Sequence, residues 1–163
     1  MLSFQNSNFY IKQEVNQVNS NGQIYKISIA PEKGMQKKNI DFVELQKDFG
    51  IVGDAHAGSG RQVSLLPFES FEKVKNEIVE INPGDFAENI TTTGIDFSTV
   101  AIGKKIKIGN TIELEVTQIG KECHHGCYIR EAVGDCIMPR EGIFAKVLHG
   151  GKMTVGDKIQ WSN

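Results

Sequence analysis

The densest chemistry in this chain is a run of five residues, Cys123-His124-His125-Gly126-Cys127, with Cys136 nine positions beyond Cys127. Thiolates and imidazoles are soft donors, and three readings follow from that fact. In the first, Cys123, Cys127 and a histidine or Cys136 hold a structural zinc, although a second cysteine pair of zinc-finger spacing is missing. In the second, one thiol is a nucleophile or a ligand to a soft metal. Lys121, His124, His125 and Arg130 would then stabilise its thiolate and lower its pKa. In the third, the cysteines are inert and buried beside surface histidines.

A second constellation is Gly50-Ile51-Val52-Gly53-Asp54-Ala55-His56-Ala57-Gly58, followed by Arg61. Its glycines let the backbone turn sharply and approach a ligand. Asp54 can orient His56 or accept from a ligand amide, and Arg61 can grip a phosphate with its planar fork. The alternative is an Asp54–Arg61 pair that ties a loop to a strand. In Pro139-Arg140-Glu141-Gly142, Arg140 is either a further anion clamp or a surface partner of Glu141. The glycine-rich stretch lacks the Lys-Ser/Thr ending of a P-loop, so it does not read as a nucleotide site.

These residues need a scaffold that turns often. Seventeen glycines, many at segment boundaries, divide the chain into short pieces. Ile24–Ala30 alternates as a strand ending at Pro31, and Phe42–Gln46 and Gln62–Leu66 are further strand candidates. Pro67 opens a predicted helix reaching Ile78, with Phe68, Phe71, Val74, Lys75 and Ile78 at helical spacing against a sheet or barrel wall. Phe86–Thr91 reads as a short extended piece. Lys104–Ile108 and Thr111–Ile119 form the clearest hairpin, around Gly109-Asn110 as a two-residue turn. Phe144–Leu148 and Ile159–Trp161 read as a second antiparallel pair, and Lys33–Asn39 as a solvated basic loop. The expectation is a mainly β protein, a closed or nearly closed antiparallel barrel with one or two short helices, since closure removes exposed edges. Residues 1–22 read as a loose leader and 23–163 as a single domain.

Composition narrows the function classes. The formal charge of −2 supplies no basic footprint for nucleic acid. No apolar run is long enough to span a membrane, and the N-terminus has no signal-peptide pattern. An odd cysteine count argues against a secreted disulfide framework and for a cytoplasmic, reducing setting.

Three segments in order resemble the MOSC family, named for the C-terminal domain of molybdenum-cofactor sulfurase. They are GIVGDAHAGSGRQVSLL (50–66), PGDFAENITTTGID (83–96) and GKECHHGCYIREAVGDCIMPREGIFAKVLHGGKMTVGD (120–157). The resemblance implies a β-barrel and a molybdenum cofactor (molybdopterin) whose phosphate is held by basic residues. Here those candidates are Arg61, Arg130 and Arg140, with Asp54 a further cofactor-binding candidate that can accept from a ligand amide. It also implies a key cysteine, which by position falls on Cys123, with Cys127 second and His56 as a further catalytic candidate. In some relatives that cysteine carries sulfur from a pyridoxal-phosphate desulfurase. In others it ligates molybdenum in the reduction of N-hydroxylated compounds. Implied partners are therefore a desulfurase, an electron donor or a cofactor-biosynthesis protein. The amidoxime-reducing relatives carry a Thr-Thr-Val-Asp-Pro type stretch after the cysteine and an extra N-terminal barrel region. This chain has Cys127-Tyr128-Ile129-Arg130-Glu131 there, which points to a carrier, accessory or small reductase role. The competing expectation is a non-catalytic module whose Cys/His loop holds zinc or docks a partner.

Overall fold

The structure is a computed structural model; it describes residues 20–75, 77–122 and 128–162, with the Tyr128 side chain excepted. Eleven strands and three short helices are found among these residues. Seven strands close a barrel. In order around the wall they are β11 (Lys158–Trp161), β7 (Lys105–Ile108), β8 (Ile112–Ile119), β9 (Ile143–His149), β5 (Val63–Pro67), β6 (Ile90–Thr93) and β1 (Asn21–Ile29). Asn21 of β1 pairs with Gln160 of β11 and completes the ring. β2 (Lys38–Ile40) adds to β1, and β3 (Phe42–Gln46), β4 (Gly50–Ile51) and β10 (Gly151–Thr154) form a small separate sheet.

The barrel is mainly β and closed, as the strand pattern predicts, but it is mixed. β5 and β6 run parallel, with Leu65 opposite Ile90. A parallel pair needs a crossover, and residues 68–89 supply it. The predicted closing pair also differs. β9 pairs with β5 and β8, whereas β11 pairs with β7 and β1.

The β7–β8 hairpin shows how burial sets register. Ile106, Ile108, Ile112, Leu114 and Val116 are all fully buried in the barrel. Directly opposed residues share a face, so Ile108 must face Ile112 for both to point inward. That register requires the three-residue connection 109–111 in place of the two-residue turn, with Gly109 at φ 56°.

A second core lies outside the barrel wall. On β5, Val63 and Leu65 enter the barrel core while Leu66 joins the outer cluster with Phe144 of β9. Phe71, Val74, Phe86, Ile129, Cys136, Ile137 and Met138 cover that wall. The helix after Pro67 therefore packs as predicted, but it is a 3-10 helix spanning only Phe68–Val74, and Ile78 is exposed. The other two helices are α1 (Tyr128–Val133) and α2 (Met138–Glu141).

The segment read as a short extended piece, Phe86–Thr91, enters a strand only at Ile90. Its first part carries Glu88, fully buried. Burial pushes this carboxyl up to about 7, against the opposing pull of the Gly84 N–H and the Thr91 hydroxyl that both donate to Oε1. The folded protein thus keeps a proton that the unfolded chain releases above about pH 4.5. Folding stability is expected to fall by about 3 kcal/mol as pH rises from there to about 7, and to level off above. Urea unfolding across that range should show the slope in the native sequence and lose most of it in Glu88→Gln.

Candidate functional site

β8 delivers the chain to the cysteine segment through Gly120. Its φ is +66°, its N–H donates to the Gly142 carbonyl at 2.6 Å, and an added Cβ would lie 2.1 Å from the Pro139 carbonyl oxygen. Only glycine fits where β8 meets α2 backbone to backbone. The predicted thiols Cys123 and Cys127, with His124 and His125, lie outside the described residues. Among the described residues, no group of three or more His, Cys, Asp or Glu is arranged to hold a metal ion.

The described residues on both sides of that segment line one groove of about 710 Å³. Lys121 and Glu122 precede Cys123 in sequence, and Arg130 on α1 follows Cys127. Asp135 and Arg140 complete the charged rim. Three cations thus face two carboxylates. Arg140 donates from Nη1 and Nη2 to the two oxygens of Asp135, at 3.1 and 2.8 Å. Glu141, the partner read for Arg140 from sequence, instead pairs with Lys73. The Arg140 bonds and the Cys136 N–H hold the Asp135 carboxyl below its ordinary value, so it stays ionised. Cys136 lines the groove but is buried in the outer core.

Arg61 stands beside this groove. Its Nε donates to Gln118 Oε1 at 3.2 Å, Gln118 lines the groove, and its guanidinium lies over the Phe144 ring. Among the described residues, none of 50–60 lines the groove. Arg61, just after the glycine loop, meets the end of β8 through its contact with Gln118.

Asp54 does not pair with Arg61. Its carboxylate is fully buried and accepts from Lys37 Nζ at 2.7 Å, from the Ala30 N–H at 3.2 Å and from the His56 N–H at 3.1 Å. His56 Nδ1 lies 3.6 Å away, on a ring that remains partly exposed. Burial alone would push this carboxyl up. The hydrogen bonds from His56, Lys37 and Ala30 and the Lys37 charge outweigh it and hold Asp54 well below the usual carboxylate range. Asp54 therefore ties β1 to the glycine loop and sets the backbone under His56. Lys37 is the residue that sequence reasoning missed. It sits in the stretch read as a solvated loop, yet its side chain is 2% exposed. In sequence it is one of the pair Lys37-Lys38, just before β2 begins at Lys38, and nothing there sets it apart from its neighbour.

The MOSC domain family model matches residues 52–160, two thirds of the sequence. The chain belongs to the MOSC domain family. The MOSC fold is shared with solved structures at low identity. The YuaD protein from Bacillus subtilis is 20% identical with a TM-score of 0.73, the match covering 86% of this chain and 95% of that one. YiiM from Geobacillus stearothermophilus is 18% identical with a TM-score of 0.66, covering 86% and 75%. YiiM from Escherichia coli is 18% identical with a TM-score of 0.58, covering 88% and 69%. At such identities the likeness concerns the fold alone. No curated protein sequence matches this MOSC chain. Among the described residues of the MOSC domain, no helix is long and apolar enough to cross a membrane.

Proposed function

We propose that this MOSC protein binds the molybdenum cofactor in the groove beside the cysteine segment and works through Cys123, either as a ligand to molybdenum or as a carrier of sulfur. The observation that supports this reading most is the convergence of Lys121, Arg130 and Arg140 on one groove whose lining includes the residue just before Cys123. The donor set fits a phosphate-bearing pterin. Two guanidiniums and an ammonium are suited to a phosphate, and a volume of about 710 Å³ lies within the range of small-molecule sites. Arg61, held by Gln118, extends the cationic side of the groove. When bound, the cofactor supplies a molybdenum centre for two-electron atom transfer.

The chain's own residues then have separable roles. Arg130 and Arg140 neutralise the phosphate and fix its position, with Asp135 orienting the Arg140 guanidinium. Cys123 contributes the soft sulfur, and Cys127 supports it. His56, whose backbone N–H Asp54 holds, does not line this groove, and the proton is not assigned to it. Electrons or sulfur come from a separate protein, a donor or a desulfurase, because the sequence carries no flavin or haem motif.

Protein purified under reducing, anaerobic conditions is expected to carry pterin with molybdenum, or a persulfide on Cys123, by mass spectrometry and metal analysis. Stoichiometric zinc with neither of these would reject the reading in favour of a structural-zinc module. A second result is expected from charge reversal on α1. Arg130→Glu should weaken binding of the isolated pterin cofactor by about 10- to 100-fold, the worth of one charge-assisted contact. Calorimetric titration showing unchanged affinity would remove Arg130 from the site.

A further inference from the structure

The fork of Arg140 is already occupied. Nη1 and Nη2 donate to the two carboxylate oxygens of Asp135, at 3.1 and 2.8 Å, in the two-toothed pairing that an arginine also makes with a phosphate. Both side chains line the first groove and are open to solvent, 56% exposed for Arg140 and 50% for Asp135. A phosphate entering the groove therefore meets a guanidinium whose teeth are held by a carboxylate, at a place where one anion can replace another.

The two partners are held differently. Gly134, at φ +78°, ends α1 with its N–H on the Arg130 carbonyl and turns the chain into the groove rim. Asp135 Oδ1 accepts the Cys136 N–H at 2.8 Å as well as Arg140, and Cys136 packs with Ile137 and Met138 in the outer core. The carboxylate is thus tethered from behind by a bond that survives the loss of Arg140. The Arg140 guanidinium has Asp135 as its one hydrogen-bond partner among the described residues, because Glu141 next to it is taken by Lys73.

We propose that Asp135 is a built-in competitor for the anion site. It occupies the Arg140 fork while the groove is empty, yields it to a phosphate, and reclaims it when the ligand leaves. Asp135 then orients the guanidinium only until the ligand arrives. The proposal deepens the cofactor reading and rests on it for the identity of the phosphate-bearing ligand. An ion pair this exposed is weak, so a phosphate dianion can displace it. The pair still subtracts from the affinity that Lys121, Arg130 and Arg140 would give without it, and the charge of Asp135 opposes an arriving anion. The outcome is a grip that releases its ligand readily, as a protein that hands on its cargo requires.

The test is a titration of the full chain with inorganic phosphate at constant ionic strength, read by nitrogen NMR of the arginine guanidinium groups. The native chain is expected to give saturable shifts at Arg140. Asp135→Asn keeps the oxygen that accepts the Cys136 N–H but loses the charge, and should tighten phosphate binding about three- to fivefold, the worth of one exposed ion pair. Glu131→Gln removes the same charge from α1 at a residue that does not line the groove, and should change the affinity less than about twofold. If Asp135 served only to orient Arg140, Asp135→Asn would weaken phosphate binding instead. Unchanged or weaker binding in Asp135→Asn, an equal gain in Glu131→Gln, or saturation without a shift at Arg140 would each overturn the proposal and leave the groove as a phosphate site. Saturation with the expected gain, but no binding of the pterin cofactor, rejects the cofactor reading and leaves the exchange at Arg140 standing. No saturable phosphate binding to either the native chain or Asp135→Asn rejects both.

Discussion

Cys123→Ser is expected to abolish sulfur transfer or reduction while leaving the fold intact. Serine nearly preserves size, but its hydroxyl stays protonated at neutral pH, and its oxygen is a poor ligand for molybdenum and a poor acceptor of sulfane sulfur. In the proposed role, Lys121 and Arg130, both on the groove rim, are the cations that would favour an ionised thiol. Cys127→Ser should do less, retaining part of the activity if its thiol only supports the first. Cys136→Ser should do least to the chemistry and most to the fold, because Cys136 packs with Ile129, Ile137 and Met138 in the outer core. Limiting iodoacetamide labelling, read by peptide mass, ranks the three thiols. Activity with a desulfurase or an electron donor ranks the three variants. Equal labelling, or full activity in Cys123→Ser, rejects the assignment, and loss of folding together with zinc release points to the metal-module alternative.

Lys37→Met should be the most damaging single change to stability away from the groove. It removes the ammonium from a carboxylate that is fully buried and leaves Asp54 with backbone donors and His56 alone. Breaking one side of a buried pair costs about 3–5 kcal/mol, because the remaining charge stays desolvated. Replacing both partners, as in Lys37→Met with Asp54→Leu, should recover much of that loss, so urea midpoints of the single and double variants form the check. The pH response carries the same information. Asp54 is depressed in the folded state, so its contribution is present in full above the ordinary carboxylate range and is lost as pH falls through and below it. Lys37→Met should shrink that acid-side loss, and an unchanged acid limb would contradict the role given to the pair.

Where one face of a strand meets water, its sequence was readable. β7 and β8 alternate lysine or glutamate with isoleucine, leucine or valine, and each buried position follows from that alternation. β5 is buried along its whole length, between the barrel core and the outer cluster, so Val63–Pro67 carries no alternation that would reveal its parallel partner. β6 is similar, with Ile90, Thr91 and Thr92 all buried. The cysteine segment stood out because cysteine and histidine seldom cluster by chance, and the arginines near it could be read only as candidate anion binders. Which arginine met which carboxylate was not. Asp54 chose Lys37 over Arg61, and Arg140 chose Asp135 over Glu141, because pairing depends on where strands and helices bring the chain together. A groove of about 1000 Å³ that adjoins the first at Ile119 and Arg140 left no motif at all. Its walls come from residues 67–73, 94–100, 119 and 140–143, each unremarkable alone.

The closing contact of the barrel joins residues near opposite ends of the described chain, Asn21–Gln23 with Lys158–Gln160. During synthesis β1 leaves the ribosome long before β11 exists. Without β11, one edge of β1 and the outer edge of β7 have no partner in the ring. Such edges are templates for pairing with other chains. The ring also depends on a contact of very long sequence separation, the class of contact that slows folding in general. The fold thus leaves two strand edges open until its longest-range contact forms.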